Sequence, residues 1–381
     1  MACGCGGSAK FVNWRPKSLV SLFGEIRLAC SYYHCRGCQT SQQPWDQVLG
    51  LTKRRVTPAA EEAITLAGLL TSFGQAARQT LLKLTGIRVS ESTVRRVTED
   101  AGEELGQALC EKQTFGPAKT WPWQRDAQGQ GCAYASIDHV SVPQQGARGA
   151  KADGRMAAVA MVYNPQSEQE ENRPRATREV RYLAGLYELD TLSLLLRRQA
   201  AQVGWDAAPQ QLVLSDAGNG LEDFGRKSFP LATSILDFYH ASEHVTEMAK
   251  ALEPRDDQAA TRQLQVWCHQ LKHEGGAALL AEWEQLDVSD WSPERQEIYS
   301  RQTQYFRNHQ HRMDYPRFIR NGWQIGSGPV ESGCKRLVTL RLKGPGMRWK
   351  PRGTTTLCHL RALLLGEPGQ WEHYWNTASL T

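Results

Sequence analysis

The apolar residues of this chain change their period near Cys132, and that change limits the fold more than any other feature. Downstream of it, segments 133–142, 156–163 and 179–186 read as strands. A helix over 189–202, a short buried strand over 211–214, a helix over 221–226 and a strand over 234–239 follow. Three strands joined by short turns, then alternating helix and strand, call for an α/β core with a mixed sheet flanked by helices. The core runs over 132–244 and is completed by 319–381. Between them, 245–318 is polar and helical, with Trp267, Trp283, Trp291, Tyr299 and Phe306 marking its buried face. That is too much structure for a loop, so it reads as a helical insertion.

Upstream the pattern is helical. Segment 59–72 carries Ile64, Leu66, Ala67, Leu69 and Leu70, and a second helix covers 74–84. Thr85-Gly86-Ile87 breaks it, Ser90 stands where an N-cap belongs, and Glu91-Ser92-Thr93-Val94-Arg95-Arg96 opens a third helix. A helix, a short glycine turn and a helix with a polar, basic start form the layout of a helix-turn-helix. Region 57–115 is therefore expected to bind DNA through Ser92, Thr93, Arg95 and Arg96. The plainer alternative is a helical hairpin with exposed arginines. Residues 116–131, rich in Gly, Gln and Pro, read as a linker.

Five of the ten cysteines lie in the first 38 residues: Cys3, Cys5, Cys30, Cys35 and Cys38. No apolar run is long enough to span a bilayer, and the start has no secretory pattern, so the expected location is the cytoplasm. A reducing compartment argues against disulfides and for metal. Cys35-Arg36-Gly37-Cys38 has the spacing of a zinc knuckle. Segment 1–56 is thus a Cys-rich, zinc-ribbon-like element, with one strand expected over 21–31. Cys3 and Cys5 are the natural partner pair for the knuckle, although C-x-C spacing fits less well; His34 or Cys30 are substitutes.

The net charge of +5 is mild. Its distribution is more telling: residues 332–352 hold Lys335, Arg336, Arg341, Lys343, Arg348, Lys350 and Arg352 and no acid. Such a run is either a solvated face or a surface for a polyanion.

Three acids stand at the ends of expected elements: Asp138 in the first core strand, Asp216 after the fourth, and Glu331 in the first turn of a helix that follows Gly328-Pro329. Two carboxylates about 4 Å apart repel by roughly 4 kcal/mol at an effective dielectric near 20, and a dication turns that repulsion into attraction. Mg²⁺ or Mn²⁺ needs only a few such oxygens and keeps several waters. A pair of ions suits in-line phosphodiester displacement. Asn219 and Gly220 follow Asp216 in a polar turn suited to close DNA approach, and His240 ends the next strand.

Taken together, Ser136-Ile137-Asp138, Leu214-Ser215-Asp216-Ala217, and the run Asp237-Phe238-Tyr239-His240-Ala241-Ser242-Glu243-His244 form a signature. It closes with Ile325-Gly326-Ser327-Gly328-Pro329-Val330-Glu331-Ser332, continuing to Arg341-Leu342-Lys343-Gly344-Pro345-Gly346-Met347-Arg348-Trp349. Over nearly its whole length the chain resembles bacterial insertion-sequence DDE transposases of the Kra type. The resemblance implies a ribonuclease-H-like core with a helical insertion before the last acid. It implies Asp138, Asp216 and Glu331 as the ligands of catalytic Mg²⁺ or Mn²⁺, with His240 as an accessory histidine. Metal-activated water would cleave transposon ends, and the 3′-hydroxyl would be transferred into target DNA without a covalent enzyme intermediate. The basic run after Glu331, with Lys335, Arg336, Arg341, Lys343 and Arg348, would lie along the bound DNA. Pairing two ends implies a homodimer or larger assembly on the nucleoid. Such chains usually begin with C-x2-C, whereas this one has Cys3-Gly4-Cys5.

Two other readings compete. A transposase that has lost catalysis would bind DNA only. His240-x-x-Glu243-His244 also matches the inverted zinc-protease motif, which normally lies within a helix, whereas here it is expected to begin at the end of a strand.

Overall fold

The structure, a computed structural model, describes residues 1–49, 51, 55–165, 179–218 and 220–378. Its N-terminal part is built on a hairpin. β1 (Lys10–Ser21) pairs antiparallel with β2 (Gly24–His34), and β3 (Ser41–Gln42) adds a short third strand. The strand expected over 21–31 is β2, starting at Gly24, and a second strand, β1, precedes it. Leu22 and Phe23 form the turn, and Gly24 takes φ +93°, which a residue with a Cβ avoids. β1 escapes a pattern reading because most of it is exposed and it contains Pro16, which an edge strand tolerates.

Next come α1 (Pro58–Leu70), a helical run over 73–84, and α2 (Glu91–Cys110). The Ser90 side chain accepts from the Thr93 N–H, as its place in the sequence implies. The helices fall where expected, yet they do not form a separate unit. Val94, Val97, Ala101, Leu105 and Leu109 of α2 belong to the same core as the sheet. The segment 116–131 is not a free linker either: Trp121 is buried, its indole donates to Glu367, and its backbone N–H donates to Val203.

The sheet has five strands: β4 (Cys132–Gln145), β5 (Lys151–Tyr163), β6 (Val180–Gly185), β7 (Gln210–Ser215) and β8 (Thr233–Leu236). Their order is β6-β5-β4-β7-β8. The β4–β5 and β5–β6 pairs are antiparallel, while β4–β7 and β7–β8 are parallel. From Ala157 to Tyr163 every residue of β5 is buried, because helices cover both faces. α3 (Leu189–Gln202) and α4 (Leu221–Ser228) make the crossovers. The strand expected to reach residue 239 stops at Leu236. Asp237 there becomes the N-cap of α5 (Phe238–Leu252), its carboxylate accepting from the His240 N–H.

The insertion continues with α6 (Asp257–Glu274), α7 (Gly276–Trp283), α8 (Pro293–His309) and α9 (Tyr315–Arg320). Trp267, Trp283 and Phe306 form its buried heart, with ring centroids 5.4 and 4.5 Å apart in sequence; Trp291 and Tyr299 lie half-buried at the rim. The chain then returns to the sheet through α10 (Gly328–Cys334) and a helical run over 335–342, and ends with α11 (Pro351–Leu365) and α12 (Gln370–Ala378). α2 meets α11 closely: a Cβ on Gly102 would lie 2.4 Å from the Thr356 carbonyl oxygen.

His359 of α11 is buried in this contact. Its Nδ1 donates to the Gly102 carbonyl at 3.2 Å and its ring stacks on Tyr187. Burial pushes its pKa down from 6.5 to about 4. The folded state therefore binds this proton less readily than the unfolded state. The stability it contributes is present above pH 6.5 and is lost as pH falls toward 4. Compared with His359→Gln, the wild type should lose about 3 kcal/mol across that window in urea denaturation. Parallel pH profiles would contradict this.

Candidate active site

β4 and β7 run parallel in a register that pairs Ser136 with Leu214 and Ile137 with Ser215. The next residues on the two strands are Asp138 and Asp216, so neighbouring backbone positions deliver both acids to one edge of the sheet. Asp138 accepts from the His139 N–H at 2.6 Å and from the Cys334 thiol at 3.4 Å. Cys334 sits three residues after Glu331 on α10, one helical turn along the same face. Glu331 accepts from the Ser327 hydroxyl at 2.7 Å. Burial, then the charges of Asp138, Glu331 and Asp216, push the Cys334 thiol well above the usual range. The thiol thus contacts Asp138 and sits one turn from Glu331, while the three carboxylates are not closed to metal-cluster spacing. Among the described residues only four cysteines have donor atoms all within 4.8 Å of one another. Burial pushes the Asp216 carboxyl up to about 6; Asp138, Asp237 and Glu243 add to this, and His240 opposes it.

Three residues outside the acid set position it. Buried Asp237 accepts from His240 N–H at 2.9 Å and, through its other oxygen, from Ser327 N–H at 2.7 Å. One carboxylate thus ties the start of α5, which carries His240, to the approach of α10, which carries Glu331. Arg312, fully buried, donates to the Ser215 carbonyl and hydroxyl at 2.9 Å each and lies 3.5 Å from Glu222. Tyr315 donates to the Leu236 carbonyl at 3.0 Å. The insertion therefore holds the ends of both β7 and β8. Asp237 could have been found as an N-cap three residues before His240; Arg312 and Tyr315 carry no local signal.

His240 lies with Nδ1 3.9 Å from Asp216 and 3.5 Å from Glu243. The H-x-x-E-H run lies inside α5, contrary to its expected start at the end of a strand, because Asp237 begins the helix. Its second histidine is engaged elsewhere. His244 Nδ1 is 2.7 Å from Gln302, and its ring stacks on Tyr305 with centroids 3.6 Å apart. Asn219 lies outside the described residues; Gly220 takes φ +76° just before α4.

The cysteine centre joins Cys3, Cys5, Cys35 and Cys38. Cys3 and Cys38 sulfurs are 3.4 Å apart, and Cys5 and Cys35 sulfurs 3.7 Å. Tetrahedral zinc with Zn–S bonds of about 2.3 Å places its sulfurs roughly 3.8 Å apart. The donor set therefore fits Zn²⁺. The C-x-C pair reaches its place because the chain folds back at once: Gly6 donates to the Cys3 carbonyl and takes φ +80°. The substitutes are not used. His34 contacts Gln39 and Ser41, and Cys30 is buried in the middle of β2, outside the group. Elemental analysis should find one zinc per chain, and none in Cys35→Ser with Cys38→Ser. Full zinc content in that double variant would contradict the assignment.

Of the residues expected on DNA, Ser92, Arg95 and Arg96 are exposed on α2 and Thr93 is half-buried. Lys335, Lys343 and Arg348 are exposed, and Arg336 is half-buried. Arg341 is a correction. It is buried, donates twice to the Gly68 carbonyl at 3.0 and 2.9 Å, and lies over the rings of Phe73 and Trp349. With Arg361, which donates to Leu69, it satisfies the open carbonyls at the end of α1. Arg352 is also occupied, facing Glu99, Asp100 and Glu103. Among the described residues no helix is long and apolar enough to cross a membrane. No protein-family model and no curated protein matches the chain.

Proposed function

We propose that this chain is a DDE-type DNA transposase with a ribonuclease-H-like catalytic core. One observation carries the reading: β4 and β7 run parallel in a register that brings Asp138 and Asp216 to neighbouring strand positions, and Cys334, one turn after Glu331 on α10, donates to Asp138. The sheet supports it. Numbered within the core, its order is 3-2-1-4-5 with strand 2 antiparallel to the rest, as a ribonuclease-H-like fold requires.

Asp138, Asp216 and Glu331 would hold Mg²⁺ or Mn²⁺, which supplies charge neutralisation at phosphate and a more acidic water. The carboxylate-only donor set suits these hard ions. Asp237 and Arg312 keep the acids in register, and His240 stands beside Asp216 to donate to a phosphate oxygen. Water attacks the scissile phosphorus and the 3′-hydroxyl leaves. That hydroxyl then attacks a target phosphodiester, so one bond forms for each one broken. The insertion closes the site from the side of β7 and β8. Joining two ends calls for at least two copies of the chain.

The test is incubation with duplex DNA carrying the ends of the chain's own element, in Mg²⁺ or Mn²⁺. Nicks at the element boundary that leave a 3′-hydroxyl, and that vanish with EDTA, are expected. Binding without nicking in either metal would reduce the protein to a DNA-binding one.

The exposed cations Lys343 and Arg348 are expected on phosphates. Replacing both by Ala should weaken all sequences alike and lower the slope of log affinity against log salt by about 2. An unchanged slope would remove this stretch from the interface. Arg341→Ala should instead lower the melting temperature, since it leaves the Gly68 carbonyl without its partner.

A further inference from the structure

The β4–β5 ribbon outruns the rest of the sheet. β7 pairs with β4 only as far as Ile137, whereas the β4–β5 ladder continues to Gln145 and Lys151. At about 3.3 Å per residue, its tip reaches up to about 23 Å past Asp138. A third piece of backbone borders this tip. Trp349 pairs in parallel with Gln144, donates to the Pro143 carbonyl and accepts from the Gln145 N–H. The basic run after Glu331 is thus stitched to a ribbon that lies nearly two hundred residues away in sequence, roughly the separation of Arg348 from Gly149.

Alternation along the strands sorts the side chains. Gln144 and Trp349 are buried on one side. Gln145 and its ladder partner Lys151 take the other side, as does Arg348, the neighbour of Trp349; all three are exposed. Arg348 Nη1 donates to the Gly149 carbonyl at 3.2 Å, which holds it against the turn. Arg148 stands in that turn, exposed, with φ +52°. Glycine or asparagine suits a left-handed backbone better than arginine, so the turn itself does not select this residue. Arg155 pairs with Val142 and belongs to the buried side, and Asp153, the one acid of the ribbon, falls in the bulge between Ala152 and Arg155. Arg148, Lys151 and Arg348 form no ion pair among the described residues. Like charges spread over two strand spacings, about 10 Å, lie within one Debye length and repel unless a polyanion faces them. A second copy of the same face would add to that repulsion.

We propose that the exposed face of the β4–β5 tip, Arg148 and Lys151 together with Arg348, binds the phosphate backbone of duplex DNA away from the scissile phosphate. The choice of duplex DNA among polyanions rests on the transposase reading; the cationic face does not. Its contacts go to phosphates and not to base edges, so they add affinity and register without sequence preference.

The experiment uses the full-length, zinc-loaded chain and a labelled duplex of arbitrary sequence. Arg148→Gly with Lys151→Gln should lower the slope of log affinity against log salt by about 2 and weaken binding at least about tenfold at 0.1 M salt. Its melting temperature should not fall, because glycine suits the φ of position 148 and position 151 is exposed. Arg27→Ala with Arg226→Ala removes the same charge from cations that already face Glu25 and Asp223, and should leave the slope unchanged. An unchanged slope in the ribbon variant overturns the proposal, and so does an equal drop in the control, which would mark a general effect of net charge. Wild type that binds phosphatidylglycerol vesicles but no duplex also overturns it. Should the double variant melt lower, Lys151→Gln alone decides: a slope lower by about 1 is expected, and an unchanged one overturns the assignment. Wild type whose slope depends on Arg148 and Lys151 but which never nicks an element end leaves this inference standing and removes the transposase reading. Nicking at the boundary with equal slopes for wild type and ribbon variant does the reverse.

Discussion

Asp216→Asn should melt higher than the wild type in metal-free buffer at pH 8 and should cleave no DNA. The folded state holds the Asp216 carboxyl proton up to about pH 6, against 3.8 for an unperturbed aspartate. A raised acid binds its proton more tightly in the folded state, so ionising it works against folding. That penalty is absent below pH 3.8, grows as pH rises to about 6, and is complete above it. Burial and the neighbouring acids cause it, and asparagine carries neither charge nor penalty. Solvent screens a half-exposed group, so the gain in melting temperature is modest, roughly 2 °C. Millimolar Mn²⁺ should then stabilise the wild type and leave the variant unmoved, since a ligand stabilises only the state that binds it. Cleavage should fall at least about a thousandfold, the equivalent of losing about 4 kcal/mol of charge stabilisation in the transition state. A variant that melts lower, or still responds to Mn²⁺, would show that Asp216 serves the fold and not a metal.

Arg312→Met should cost about 3–5 kcal/mol of stability, as removal of one member of a buried charge network does. The guanidinium is fully buried. It bonds the Ser215 carbonyl and hydroxyl, and faces Glu222, which also meets His309 and His311. Methionine fills the volume but removes the guanidinium donor from both Ser215 oxygens, leaving the carbonyl to the Asp237 N–H at 3.3 Å, at the residue just before Asp216. Chemical denaturation should show the loss, and cleavage should fall further than the fraction unfolded explains, because the end of β7 has lost its clamp. Arg312→Lys should recover part of the stability. Unchanged denaturation curves for Arg312→Met would mean that the insertion does not hold the strand end.

The elements of the core could be read because their periods differ and their ends carry polar residues. Asp216 stands at such an end, and it comes beside Asp138, which lies within β4, because β4 and β7 are parallel neighbours in register. What escaped depends on long-range partners. Arg341 looked like part of a basic surface, yet it belongs to the carbonyls at the end of α1, 273 residues away in sequence. Asp237 looked like the end of a strand; its two acceptor oxygens meet the N–H groups of His240 and Ser327, and only the second contact reveals its role as a bridge. The helices over 57–115 were legible as helices, but their burial against α11 is not written in their own pattern. Cys3 and Cys5 were the expected zinc partners despite poor spacing, and a turn at Gly6 relieves that misfit.

The central claim is that three carboxylates from distant parts of the chain form one divalent-ion site. Electron paramagnetic resonance of Mn²⁺ bound to the zinc-loaded protein tests it most directly. The account predicts carboxylate- and water-ligated Mn²⁺ in the wild type and loss of that signal in each of Asp138→Asn, Asp216→Asn and Glu331→Gln. Mn²⁺ that binds all three variants as it binds the wild type, or that is lost only with His244→Ala, would contradict it.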